Sequence, residues 1–246
     1  LKHTIQIIDY TIQLSHLLDN EFPQALSFIL TFLPYISNPC IYYFFESLCS
    51  DHEIYQDAHN WLLNDVAFND ILVDELMKLK TAIFKEDNSS SNDDLISKAT
   101  NILRLVSFCL KSNLRKMFLN YRLVEVLNDD WKNISLSSEL LNELWYAIEN
   151  TYSIETKQYL QGCIYGAIEI IQDPCTTLQR CKISAINLIT SMLEQDQTLH
   201  PFIISFHLET FVYSLIYQFI GNSFLQNSLL KLVLVALQIP GMREEF

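Results

Sequence analysis

Apolar residues recur along this chain at helical spacing. No stretch holds a strand-like alternation that survives the helical alternative. Ile5, Ile8, Ile12, Leu14, Leu17 and Leu18 predict an amphipathic helix over residues 3–19. Glu21-Phe22-Pro23 opens a second, with Ala25, Leu26, Phe28, Ile29, Leu30 and Leu33 following and Pro34 ending it. Proline is tolerated at a first helical position because its missing N–H has no helical partner there. Asn38-Pro39 repeats that signal with Asn as the cap. The segment from Cys40 to Cys49 is apolar nearly all round, which suits a helix covered on two sides.

A short helix is predicted over 54–64. Another, capped by Asp65, runs through Phe68, Ile71, Leu72, Leu76 and Leu79 to about Ile83. Lys85 to Asp94 (KEDNSSSNDD) favours turns and cannot bury a core, so a flexible surface loop is expected over 85–94. Helical patterning resumes over 95–110, 113–119 and 121–129. Residues 137–150 and 153–171 have the pattern of an antiparallel pair. Asp173-Pro174 opens the next helix, through Leu193, and 201–220 holds a segment split near His207. Gly221 is expected to take a left-handed conformation and Asn222 to cap the final helix. The stripe of that helix is Leu225, Leu229, Leu232, Val233 and Ala236, widened by Leu230, Leu234 and Leu237.

About a dozen helices, paired roughly every forty residues, predict an all-α chain built as a HEAT- or armadillo-like solenoid. Residues 1–246 are taken as a single helical-repeat domain, cut from a longer protein. A compact all-α bundle is the rival. The composition agrees with helices: half of the residues are hydrophobic, yet there are only 4 Gly and 6 Pro to make turns. The net charge of −13 would repel a phosphate backbone, so nucleic acid is excluded as an expected partner. The longest apolar runs fall far short of the ~18–20 residues that span a bilayer. Cys40, Cys49, Cys109, Cys163, Cys175 and Cys181 include no Cys-x-x-Cys and are expected to be reduced packing residues of a cytoplasmic or nuclear protein. Cys175 and Cys181 are expected on one helix.

Catalytic chemistry is sparse. There is no Gly-x-Ser-x-Gly, no phosphate-cradling glycine-rich loop and no His-Glu-x-x-His. His52, Glu53, Asp57 and His59 are the densest group of potential metal ligands, but no second ligand pair accompanies them. His200 and His207 flank a turn, where capping roles are expected. No catalytic residue, metal or cofactor is expected. Trp61 and Trp145 fall on apolar helix faces. Trp131 lies in the polar run Asp-Asp-Trp-Lys-Asn; folding back onto the array is the favoured reading, and an exposed interface anchor is the alternative.

Two stretches carry a family resemblance. Gln56-Asp57-Ala58-His59-Asn60-Trp61-Leu62, followed by Ile71-Leu72-Val73, the polar insertion and a helix at Ala99 to Phe108, resembles a segment of SAPS-domain proteins. There a Gln-x-x-x-x-Trp-Leu helix precedes a variable acidic loop. Ala185 to Leu193, followed by Phe219-Ile-Gly-Asn-Ser-Phe-Leu-Gln-Asn-Ser-Leu229, is similar to a second segment of that family. Gly221, Ser223 and Gln226 depart from it, standing where the family often has Trp, Asn and His. The motif positions are Gln56, Trp61, Leu62, Asn222, Phe224 and Leu225, taken as structural. The resemblance covers about residues 40–237. It implies a non-catalytic regulatory subunit that binds the catalytic subunit of protein phosphatase six, a relative of phosphatase two-A, and directs it to substrates. Armadillo-like regulatory subunits of phosphatase four are a neighbouring possibility. An adaptor for unrelated protein partners in transport, trafficking or cytoskeletal assembly is the alternative.

Overall fold

The computed structural model describes residues 26–50, 62, 67–85, 92–128, 131, 137–174 and 177–244, apart from the side chains of 26–28 and 85. Every regular element among them is helical. The chain separates into two compact units, Leu1–Val126 and Leu127–Phe246, where the sequence reading has one continuous array.

In the first unit a 3-10 helix, Leu26–Tyr35, precedes α1, Pro39–Leu48. Pro34 lies within the 3-10 helix, one residue before its end, rather than ending it. Asn38 caps α1 as the sequence predicts: its Oδ1 accepts from the Cys40 N–H at 2.9 Å. α2, Phe68–Lys85, and α3, Asn92–Lys111, pack against each other, and the short α4, Arg115–Phe118, packs on α3. α2 thus runs to residue 85 and α3 begins at 92, which shortens the expected 85–94 loop from both ends. Phe45 of α1 stacks on Phe68, with ring centroids 5.4 Å apart, and both rings are fully buried. α5, Tyr121–Asn128, begins in this unit and ends in the second, and its Arg122 pairs with Asp70 and Asp74 of α2.

In the second unit α6, Ser138–Thr151, is capped by Ser137, whose Oγ accepts from the Leu140 N–H. The single helix predicted over 153–171 is broken into α7, Lys157–Leu160, and α8, Cys163–Gln172. That break falls at Gln161-Gly162, and a tight turn at Ser153–Thr156 holds off the start of α7 until Lys157. Thr156 Oγ1 donates to Thr151 O at 2.8 Å and accepts from the Ser153 N–H at 2.9 Å. These short-range bonds compete with a continuous helix. The next helix, α9, spans Arg180–Gln195, so Asp173-Pro174 does not open it; Asp173 is instead the C-terminal cap of α8. Cys175 lies outside the described residues, and Cys181 falls in the first turn of α9. α10, His200–Ile204, and α11, Leu208–Gln218, are separated at His207 as expected. His207 takes a left-handed conformation, φ 50°, a region in which histidine is several-fold enriched. Gly221 does not take the left-handed conformation expected of it. α12, Ser223–Ala236, and the short α13, Pro240–Arg243, end the described chain.

α9 is the centre of the second unit, packing against α6, α8 and α12. Its buried face is Cys181, Ala185, Ile186, Leu188, Ile189, Met192 and Leu193. The α6–α9 seam carries a polar ladder. Asn142 Oδ1 accepts from the Cys181 N–H at 2.7 Å, Arg180 meets Glu143 at 3.4 Å, and Asn187 donates to Glu149 at 2.9 Å. Contact advances along both helices together, so α6 and α9 run parallel, with α8 returning between them in sequence. Among the described residues no single helix is long and apolar enough to cross a membrane.

Candidate interaction surface

The predicted motif positions separate into capping, core and surface. Asn222 takes an extended backbone conformation, and its Oδ1 accepts from the Leu225 N–H at 3.0 Å. This satisfies one of the donors that a helix start leaves without a partner. Leu225 and Leu62 are fully buried. Phe224 is not a packing residue: it is 76% exposed. It follows Ser223 on the first turn of α12, about 100° round the helix from Leu225 and off the buried stripe. Gln56 and Trp61 lie outside the described residues.

Of the two readings of Trp131, the structure agrees with folding back and not with the exposed anchor. The residue is 3% exposed, buried in spite of its polar sequence neighbours. An indole removes about 150–250 Å² of surface from water when buried. Trp145 is buried, as its helix face predicts.

The outward surface of α12 is apolar. Leu230, Leu234 and Leu237 lie at helical spacing and are exposed, although the sequence pattern counted them as widening the buried stripe. The core of the unit takes Leu225, Leu229, Leu232, Val235 and Ala236. The last turn of α11 adds exposed Tyr217, and the turn before α12 adds exposed Ile220. Gln226 Nε2 bridges that turn to the Ile216 and Phe219 carbonyls, holding α11 and α12 as a hairpin. From Thr210 to Arg243 the sequence contains no carboxylate, in a chain of net charge −13. Lys231 pairs with Glu194 at 3.2 Å, and Arg243 Nε donates to Leu237 O.

Next to the polar ladder, the Arg180 guanidinium lies over the Tyr146 ring, 3.6 Å from its centroid, while its Nη1 meets buried Glu143. A cation held by a ring face and a carboxylate is fixed in direction. At the other end of α9, Asp196 is buried. It accepts from the Thr198 hydroxyl at 2.6 Å, the Thr198 N–H at 3.1 Å and Gln161 at 3.2 Å, with Lys157 Nζ 3.9 Å away. The Thr198 hydroxyl above all, then its N–H, Gln161 and Lys157, holds the Asp196 carboxyl below the usual range, against burial. Burial, and then the Asp196 charge, pushes the Tyr152 phenol up to about 12. His200 Nε2 lies 2.9 Å from Leu193 O, the capping role expected of it.

These polar groups fasten helices together. Lys182, Asp196 and the Arg180–Tyr146 stack were not singled out by sequence, because each also depends on partners between 9 and 37 residues away. His52, Glu53, Asp57 and His59 lie outside the described residues, as do Asp129 and Asp130. Among the described residues no group of three or more His, Cys, Asp or Glu side chains is placed to hold a metal ion. Asp93 and Asp94 are exposed in the first turn of α3, where Lys98 and Ser37 hold the Asp94 carboxyl below its ordinary value. No family model, curated protein or solved structure matches this chain.

Proposed function

We propose that this chain is a non-catalytic helical-repeat scaffold that binds the catalytic subunit of a two-A-like serine/threonine phosphatase, of the phosphatase-six type, and directs it to substrates. The architecture meant is a HEAT- or armadillo-like solenoid. One observation supports it most: parallel α6 and α9 meet at residues 37, 39 and 38 apart in sequence, which is the length of one repeat of such an array. Solenoids offer extended surfaces to protein partners. The outward leucines of α12 provide a carboxylate-free apolar face of the kind that protein interfaces bury. The choice of a phosphatase rests on the SAPS-like segments around Leu62 and Asn222–Leu225.

The test is affinity capture of the full-length chain from its own cells, with the catalytic subunits of phosphatases two-A, four and six quantified by mass spectrometry. Enrichment of the phosphatase-six subunit is expected. Capture free of all three overturns the phosphatase reading and leaves the adaptor alternative.

A further inference from the structure

Two cysteines from separate helices converge in the core of the first unit. Cys49 ends α1, and Cys109 lies in the last turn of α3. Both are free thiols and both are fully buried. α1 packs on α3, and the buried Asn101 amide donates to Ile36 O at 2.8 Å, just ahead of α1. The Cys109 thiol lies within hydrogen-bonding reach of Cys49. Burial, that contact, the Cys49 charge and the Glu46 carboxylate push its titration well above the ordinary thiol range. The described thiols of the second unit are placed differently: Cys163 Sγ meets Asn128 Oδ1 at 3.2 Å and Cys181 Sγ meets Gln179 Oε1 at 3.4 Å.

We propose that Cys49 and Cys109 are an oxidative modification site, forming a reversible disulfide that joins α1 to α3 when the protein meets a peroxide. The Cys49 sulfur attacks one peroxide oxygen and the O–O bond breaks. Cys49 becomes a sulfenic acid, and the departing hydroxide takes the thiol proton and leaves as water. The Cys109 sulfur then displaces the sulfenic hydroxyl. The S–S bond forms as the S–O bond breaks, and the Cys109 proton leaves with the hydroxyl as a second water. Two thiols lose two electrons and one peroxide is reduced to two waters. A small thiol reverses the link by exchange. Burial makes the first step depend on local opening of the unit, so the reaction is slower than that of exposed Cys40.

The test uses the full chain carrying Cys40→Ser, which removes the exposed competitor among the described cysteines. It is treated with hydrogen peroxide, alkylated, and analysed by intact mass and non-reducing peptide mapping. The expected result is loss of the mass of two hydrogens, a cross-linked peptide joining Cys49 to Cys109, and reversal by dithiothreitol. The thermal midpoint should be higher in the oxidised form, because the link closes a long loop of the unfolded chain. Recovery of both residues as alkylated thiols, or a link through any other cysteine, overturns the proposal. Cys109→Ala in the same background should lose the link and leave Cys49 open to a sulfenic-acid probe. A link still reaching Cys49 in that variant also overturns it.

Discussion

Lys182, in the first turn of α9, donates its ammonium to the Ile171 carbonyl in the last turn of α8, 3.3 Å away, and to the Asp173 carbonyl beyond it. The side chain is almost wholly buried. A helix end leaves its last carbonyls without partners and carries partial negative charge, so a buried cation there is both needed and stabilised. Lys182→Met keeps most of the stem volume and removes the donor. We expect a loss of about 1–3 kcal/mol in urea denaturation. An unchanged midpoint would mean that water serves those carbonyls equally well.

Asn222 caps α12 with one side-chain bond to the Leu225 N–H. Asn222→Ala should lower stability by about 0.5–2 kcal/mol, and Asn222→Asp should largely retain it. Equal melting curves for the alanine variant and the parent would remove the cap from the account of this helix.

Trp131 separates burial from exposure in one measurement. A buried indole truncated to alanine costs about 3–5 kcal/mol. Trp131→Ala should therefore destabilise strongly, whereas an exposed ring would change the thermal midpoint little. Native tryptophan fluorescence should also resist an aqueous quencher at this position.

Asp196 and Tyr152 give opposite pH signatures. The Asp196 carboxyl is held below its ordinary value. Its stabilisation is thus present above the unfolded carboxylate pKa and is lost as pH falls through the folded one. Asp196→Asn should flatten the acid limb of a stability–pH curve. The Tyr152 phenol is raised to about 12. Its contribution is whole below the unfolded phenol pKa of about 10 and is lost as pH climbs from there towards the folded value. Tyr152→Phe should remove that alkaline loss, and the phenolate absorbance of the parent should show one tyrosine titrating late.

Leu230→Asp with Leu234→Asp should abolish capture of the phosphatase subunit while leaving the thermal midpoint close to that of the parent, since both side chains face solvent. Undiminished capture would move the docking face elsewhere on the chain.

Helix starts at Asn38-Pro39 and Asn222 were legible because their signals are local: a side-chain oxygen and the N–H groups it serves lie within three residues. So was the split at His207. Asp173-Pro174 carried the same kind of signal and misled. The chain there ends α8, with the Asp173 N–H bonded back to Glu169 O, and α9 waits until Arg180. Periodicity found the core leucines of α12 but counted both sides of the helix as buried. A pattern records which residues are apolar and not which side receives a neighbour. Trp131 shows the converse, a large side chain whose burial overrides the polarity of its loop.

The ladder between α6 and α9 also bears on how the second unit reaches its structure. Beyond local bridges such as those of Lys182 and Gln226, the described hydrogen bonds that join its segments span 31 to 39 residues, from Asn128–Tyr159 to Asn142–Cys181, with Gln161–Asp196 and Lys231–Glu194 between those limits. Each therefore closes a loop of similar, modest length, and the entropy of closure grows only slowly with length. No one of these bonds needs another in place to bring its partners within reach. Assembly can begin at any neighbouring pair of helices and spread, with the low contact order that goes with rapid folding.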